Sequence, residues 1–216
     1  MTNKPTIAIL GGTGHEGTGL ALRWASNGYE VIIGSRKEEK ALNTAEELNQ
    51  ILGRETIRGM ENPAAAREAD INVLTVVMSA HQAAVMDLKD DLQGKILVDA
   101  TARIKFPNPK PPVPPAAARI AQEILGDGVR VVAAFQNIPA SALKNLEKEL
   151  DSDVLVCADH QQDANQVMEL IRGAGMNAYY IGDLDIAITI EGLTAVLVYL
   201  NKYNDIKHAS IKIVGS

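Results

Sequence analysis

The amino-acid sequence predicts a doubly wound α/β fold with a mainly parallel sheet and a small helical segment at the C-terminal end. Three observations carry this. Short β-branched runs alternate with helical patterns along the whole chain. The runs at 71–77 and 95–99 are apolar for most of their length, as strands covered on both faces are. A glycine-rich turn follows the first run and opens a helix. Strands that alternate with crossover helices pair in parallel, and ligands then bind beyond their C-terminal ends.

Taken in order, residues 6–10 read as the first strand and 16–27 as a helix with Gly28 at its C-terminal cap. Residues 31–34 are the second strand and 37–52 a helix rich in Ala, Glu and Leu. A weak strand lies at 56–58, and Asn62-Pro63 has the form of an N-cap followed by proline at the first helical position. After the two apolar strands, residues 102–115 hold Pro107, Pro109, Pro111, Pro112, Pro114 and Pro115, so neither a helix nor a central strand passes through them. The stretch is a spacer or a surface loop near the site. A helix at 116–125, strands at 130–135 and 153–157, a helix at 164–174 and a strand at 178–182 continue the rhythm. A helix at 188–203 and an apolar tail at 211–214 complete it. The division expected is a dinucleotide-binding domain over 1–158 and a C-terminal α/β extension over 159–216 packed on it.

With 216 residues, 46% of them hydrophobic, the chain has material for one such domain and its core. A formal charge of −6 argues against nucleic acid as the main partner, since phosphate binding needs a basic surface. The apolar stretch 186–200 is broken by Thr189, Glu191, Gly192 and Thr194 and is too short and polar for a membrane span. No secretory signal is visible, and a single cysteine, Cys157, forms no internal disulfide. Both fit a cytoplasmic protein.

The first turn carries the most chemistry. Gly12, Gly14 and Gly17 form G-x-G-x-x-G between a strand and a helix, with Thr13, His15 and Glu16 filling the gaps. Gly12 permits the tight turn, Gly14 leaves room for a pyrophosphate, and Gly17 lets the helix approach the strand. The helix N-terminus offers free N–H groups and a positive dipole end to the phosphates. This is the Rossmann dinucleotide fingerprint; its bland counterpart is a glycine turn without ligand. At the end of the second strand, where NAD-binding chains carry a carboxylate, stand Ser35 and Arg36, with Lys40 one helical turn on. Arg36 can grip a 2′-phosphate with a bidentate fork, Ser35 can donate a hydroxyl, and Lys40 adds a point charge. The expected dinucleotide is NADP(H). A solvated helix start, neutralised by Glu38 and Glu39, would account for Lys37 better than for Arg36.

Other chemistry is sparse. His15, His81, His160 and His208 show no metal-binding spacing, so no metal is expected. His81 and His208 are the candidates for carrying a proton, against surface or helix-end packing for each. His160 reads as solvated, and Cys157 reads as inert core. Gln136 and Asn137, before Ile138-Pro139-Ala140, put two amides at a strand end where ligands bind, or simply make a strand-to-helix turn. A carbonyl-reducing enzyme needs a proton donor, but no tyrosine here has a lysine four residues on. Direct hydride passage between two stacked rings needs none, because orientation supplies most of the acceleration. No catalytic acid or base is therefore expected.

Leu10-Gly11-Gly12-Thr13-Gly14 with Gly17, and Gly34-Ser35-Arg36 with Glu38-Glu39-Lys40, resemble the NADPH-dependent reductases of the deazaflavin coenzyme F-420. Weaker parts of the resemblance are Asp70 to Thr75, Ile138-Pro139-Ala140, Asp153-Val154, Val156-Cys157, Glu191 with Leu193-Thr194, and the basic tail from Lys207. The resemblance implies hydride exchange between nicotinamide C4 and deazaflavin C5, in a dimer or higher homo-oligomer. It implies that Thr13 to Glu16 hold the pyrophosphate, and Ser35, Arg36 and Lys40 the 2′-phosphate. Met78 and Gln82 would border the nicotinamide half, with Ala140 and Ala209 at its end. Ile138 would press on the deazaflavin, and Thr194 would bond its polar edge. The chain departs from the family in carrying Gln136 where a histidine is usual and Gly192 where a serine is usual. Two other readings stay open: an NADP(H)-binding sensor or interaction module without turnover, and an NADPH-dependent reductase of a flavin, ferric or other small acceptor.

Overall fold

A computed structural model describes residues 4–105, 107–148 and 150–215; Phe106, in the proline stretch, lies outside them. Eight strands form one sheet in the order β3-β2-β1-β4-β5-β6-β7-β8. They are β1 (Ile7–Leu10), β2 (Val31–Ser35), β3 (Ile57–Glu61), β4 (Ile71–Leu74), β5 (Ile96–Asp99), β6 (Arg130–Ala133), β7 (Asp153–Ala158) and β8 (Asn177–Gly182). All neighbours pair in parallel except β6 and β7. The order reverses at β1, between β2 on one side and β4 on the other. That switch point is where a doubly wound sheet opens a crevice.

The helices are α1 (His15–Ser26), α2 (Glu38–Leu52), α3 (Asn62–Glu68), α4 (His81–Asp87), α5 (Ala117–Leu125), α6 (Ala140–Leu143), α7 (Gln161–Gly173) and α8 (Ala187–Asn204). Because side chains alternate across a strand, β1 sends Ile7 and Ile9 into one core and Ala8 and Leu10 into the other. The first core lies under α1, α2 and α7, where Leu20, Trp24, Ala45, Val167 and Leu170 pack. The second lies under α3, α4, α5 and α8, with Ala65, Val85, Ala121 and Ile190. Trp24 is fully buried, donates its indole N–H to Leu170 O (2.9 Å) and meets Phe135 edge-on at 5.8 Å. A buried Arg23 donates to the carbonyls of Leu143 and Asn145, both at 2.9 Å, and so sews α1 to the α6 region. Burial there pushes its guanidinium down from the ordinary value.

Three local expectations are corrected. Asn62 does not cap α3 from outside. It is the helix's first residue, with Glu61 at the cap, and its Oδ1 accepts the Gly11 amide at 3.1 Å. The glycine turn needs that acceptor more than α3 needs a cap. The strand expected over 71–77 stops at Leu74: Thr75 still donates to Leu10 O, but the chain then leaves the sheet and enters a 3₁₀ turn, Met78–Ala80. The weak strand at 56–58 is a full edge strand, β3. Its exposed Arg58 and Glu61 dilute the apolar signal. The turn at 78–80 and α4 were not legible in the sequence. Residues 102–115 are irregular wherever described, and no described helix is long and apolar enough to cross a membrane.

Candidate dinucleotide and acceptor site

The glycine turn is stitched to both neighbouring strand ends. Gly12 N–H donates to Ile9 O (3.1 Å) and Gly34 O (2.9 Å). A Cβ on Gly12 would lie 2.5 Å from Ile9 O, and one on Gly17 would lie 2.6 Å from the Gly12 Cα and O. Those two positions are closed by backbone. Gly14 differs: a Cβ there would meet nothing within 4 Å. Its backbone is extended (φ −87°, ψ 177°), and no side chain caps the first turn of α1. Open space in front of uncapped helix amides suits an anion such as a pyrophosphate.

At the β2 end, Ser35 is buried and its Oγ accepts the Lys37 amide at 3.3 Å. Arg36 and Lys40 are exposed, and neither side chain has an ion pair or hydrogen bond among the described residues. Two free cations beside a hydroxyl fit a ribose 2′-phosphate and give a ribose diol no carboxylate to bond. Thr13 and Glu16 are half-buried and His15 is exposed, in the turn and the first residues of α1.

On the β4 side Met78 is half-buried and Gln82 exposed, one on each side of His81. Sequence reasoning missed what stands behind them. His81 does occupy a helix end, but it is buried, with Nε2 at 2.6 Å from Asp99 Oδ2. Asp99 ends β5 with no exposed surface, and its other oxygen accepts the Thr101 amide at 2.9 Å. A buried Glu191 accepts the amides of Arg103 (2.8 Å) and Ala117 (2.6 Å), and burial raises its carboxyl pKa against those two bonds. The available signal for this cluster was an aspartate closing an otherwise apolar strand.

Burial, then the charge of Asp99, pushes the half-buried Glu16 carboxyl up to about 8. The sign follows directly. A carboxyl whose folded value is raised binds its proton more tightly when folded. Its favourable contribution is present below the unfolded value of 4.5 and is lost as pH rises through about 8. Glu16→Gln should therefore flatten the fall in thermal midpoint between pH 6 and 8.5; a variant with the wild-type slope would show that Glu16 does not cause it.

On the acceptor side Gln136 is 5% exposed and donates Nε2 to Asp99 O at 2.8 Å, while its Oε1 is buried without a partner. Thr194 donates its hydroxyl to Gln136 O at 2.7 Å, so these two residues are brought together. Ile138 is 7% exposed and belongs to the first core. The Asn137 amide is structural: it donates to Asp153 O and accepts from Leu155 N. Ala140 opens α6, and the next residue, Ser141, bonds His208 Nδ1 at 2.6 Å. The tail carrying Ala209 is thereby tied beside Ala140. A Cβ on Gly192 would meet only Pro112 Cδ, at 3.9 Å, so the missing serine leaves space rather than a packed core. Burial, then Asp183, pushes the Cys157 thiol up to about 12, which keeps it an unreactive core residue. His160 is exposed. Among the described residues no group of His, Cys, Asp and Glu could hold a metal ion. A groove of about 890 Å³ along α2 and β3 contains none of the site residues, so volume alone does not mark the site.

The chain is similar to proteins already known. Residues 6–103 match the family described as NADP oxidoreductase coenzyme F420-dependent. The chain is 40% identical to the F420-dependent NADP reductase of Methanothermobacter thermautotrophicus over 97% of its own length and 94% of the relative's. It is 36% identical to the protein of the same name from Methanocaldococcus jannaschii, over 97% and 98%. The crystal structure of a putative F420-dependent NADP-reductase from Arthrobacter sp. FB24 superposes with a TM-score of 0.83 at 24% identity, covering 98% of this chain and all of that one. A strand-end crevice with a free arginine, set in a chain that matches these reductases almost end to end, leads to one assignment: the chain belongs to the F420-dependent NADP reductase family.

Proposed function

We propose that the protein transfers a hydride between NADP(H) and the deazaflavin ring of coenzyme F-420. The observation that carries this is the open space at Gly14, together with the unpaired Arg36 at the end of β2, in a chain so close to reductases of that name. When bound, NADPH would supply a hydride, with its two electrons, from C4 to C5 of the oxidised deazaflavin, whose ring nitrogen would take a proton from solvent.

The residues of this chain bind and orient. The α1 amides with Thr13, Gly14, His15 and Glu16 receive the pyrophosphate. Ser35, Arg36 and Lys40 hold the 2′-phosphate. Met78, Gln82, Ala140 and Ala209 border the nicotinamide end. Gln136, Ile138 and Thr194 face the acceptor, with residues 159–216 supplying part of that wall. No side chain exchanges a proton with the reacting carbons, and the rate comes from holding two rings at contact distance. We also read the chain as a cytoplasmic homodimer or higher oligomer. The exposed Val196, Leu200 and Tyr203 on the apolar α8 support self-association.

The test is spectroscopic. Oxidised F-420 mixed with NADPH and this protein should lose its visible absorbance, with FMN alongside as the control acceptor. An unchanged F-420 spectrum at every pH would remove the assignment, and tight NADPH binding without any acceptor reduction would favour a sensing module.

A further inference from the structure

The buried pair of His81 and Asp99 has no role in binding the dinucleotide as described above. Its side chains are 3% and 0% exposed, at 2.6 Å from each other. Removing two charges from water costs several kcal/mol per ion, and apolar side chains often serve the core as well. Stability alone is therefore a poor reason for the pair, and its place in the fold suggests another.

His81 is the first residue of α4 and directly follows the 3₁₀ turn that carries Met78; Gln82 comes next. Asp99 is the last residue of β5. Met78, Ser79 and Gln82 make no side-chain hydrogen bond among the described residues, and Val77 is 71% exposed. His81 to Asp99 is thus the side-chain anchor that ties this segment to the sheet. Asp99 is itself held from the other side, by the Thr101 amide on its carboxylate and the Gln136 amide on its carbonyl. The anchor therefore links the segment bordering the nicotinamide to a residue on the acceptor side.

We infer that His81, held by Asp99, is a positioning residue for hydride transfer: the pair pins the Met78–Gln82 segment to the end of β5 and so sets the nicotinamide edge against the acceptor ring. The inference rests on the proposed reading of Met78 and Gln82 as the nicotinamide border. A displacement of about 1 Å at such a border costs roughly a hundredfold in rate.

Protonation tunes the anchor. Burial pushes the His81 imidazolium down, but the hydrogen bond and charge of Asp99 outweigh it and hold its pKa above the ordinary value. Glu191 on α8 adds to that, and Arg103 in the proline loop opposes it. The charge attraction is present below the ordinary histidine value and is lost as pH rises through the raised one. Glu16 on α1 also faces Asp99 and titrates near pH 8, so an alkaline limb by itself does not single out His81.

The experiment separates the two ends of the site. His81→Gln keeps a hydrogen-bond donor without charge, and H81Q/D99N replaces the pair by two amides. Affinity for 2′,5′-ADP reads the adenine end alone, and a single turnover from NADPH to F-420 reads the ring alignment. We expect 2′,5′-ADP affinity within about twofold of wild type and single-turnover transfer slower by roughly ten- to a hundredfold. Transfer at the wild-type rate, or parallel weakening of 2′,5′-ADP and NADPH, would overturn the inference. Should neither variant fold, the wild-type protein decides. The His81 imidazole NMR signal, assigned by replacing the three exposed histidines in turn, should shift on adding NADPH and stay in place with 2′,5′-ADP. An unresponsive signal overturns the positioning role, whereas wild type that fails to bind NADPH withdraws the dinucleotide reading itself.

Discussion

Arg36→Asp is expected to weaken NADPH binding by about 2–5 kcal/mol, because it removes one charge from a pair and then sets like against like. NADH binding should not weaken. The structural grounds are local. Arg36 leaves the end of β2 with no ion pair or hydrogen bond among the described residues, so the substitution breaks no existing contact of that side chain. Lys40 remains one turn away, and Ser35 is still held through its Oγ by the Lys37 amide. An aspartate here would instead accept from a ribose diol, as NAD-binding chains do at this place. Titration of both dinucleotides against wild type and variant checks the result. An equal response of NADPH and NADH would show that Arg36 does not read the 2′-phosphate.

The second large effect is a contrast between two glycines three residues apart. Gly14→Val should leave the thermal midpoint near wild type while costing at least about 2.7 kcal/mol in NADP affinity, roughly a hundredfold. The backbone at Gly14 is extended, which any residue adopts, and a Cβ enters empty space. That space is the one a pyrophosphate would need. Gly17→Ala should do the reverse: its Cβ would come within 2.6 Å of the Gly12 backbone, which has no flexible end to move aside. Overpacking of this kind costs about 1–3 kcal/mol. The measurements are thermal unfolding and NADP titration on each variant. If Gly14→Val binds NADP as wild type does, the turn is not the phosphate site.

Much of the candidate site was legible because its sequence signals are local. The spacing of Gly12, Gly14 and Gly17, and the change from carboxylate to Ser35-Arg36 after the second strand, lie within short windows, and the structure puts them on adjacent strand ends. The cluster of His81, Asp99 and Glu191 was not legible, because its members lie far apart in the chain on α4, β5 and α8. Only the sheet order brings them together. Gln136 shows the same limit from the other side. Its residue type suggested a free amide at a strand end, yet Asp99 O takes its N–H and Thr194 donates to its carbonyl. Neither partner is visible from its own neighbourhood in the chain.

By itself the sequence determined the alternation of strands and helices, the glycine turn and the Ser35-Arg36 end of β2. Periodicity and steric need act over a few residues, and such rules survive without tertiary information. The tertiary structure decided which polar side chains are free to meet a ligand and which are already bonded. Arg36 is left open, Asn62 is turned inward to hold Gly11, and His81 is locked onto Asp99. Burial and hydrogen bonding are properties of the packed sheet ends, where segments distant in the chain exclude water together and each polar group must find whichever partner the fold has brought within reach.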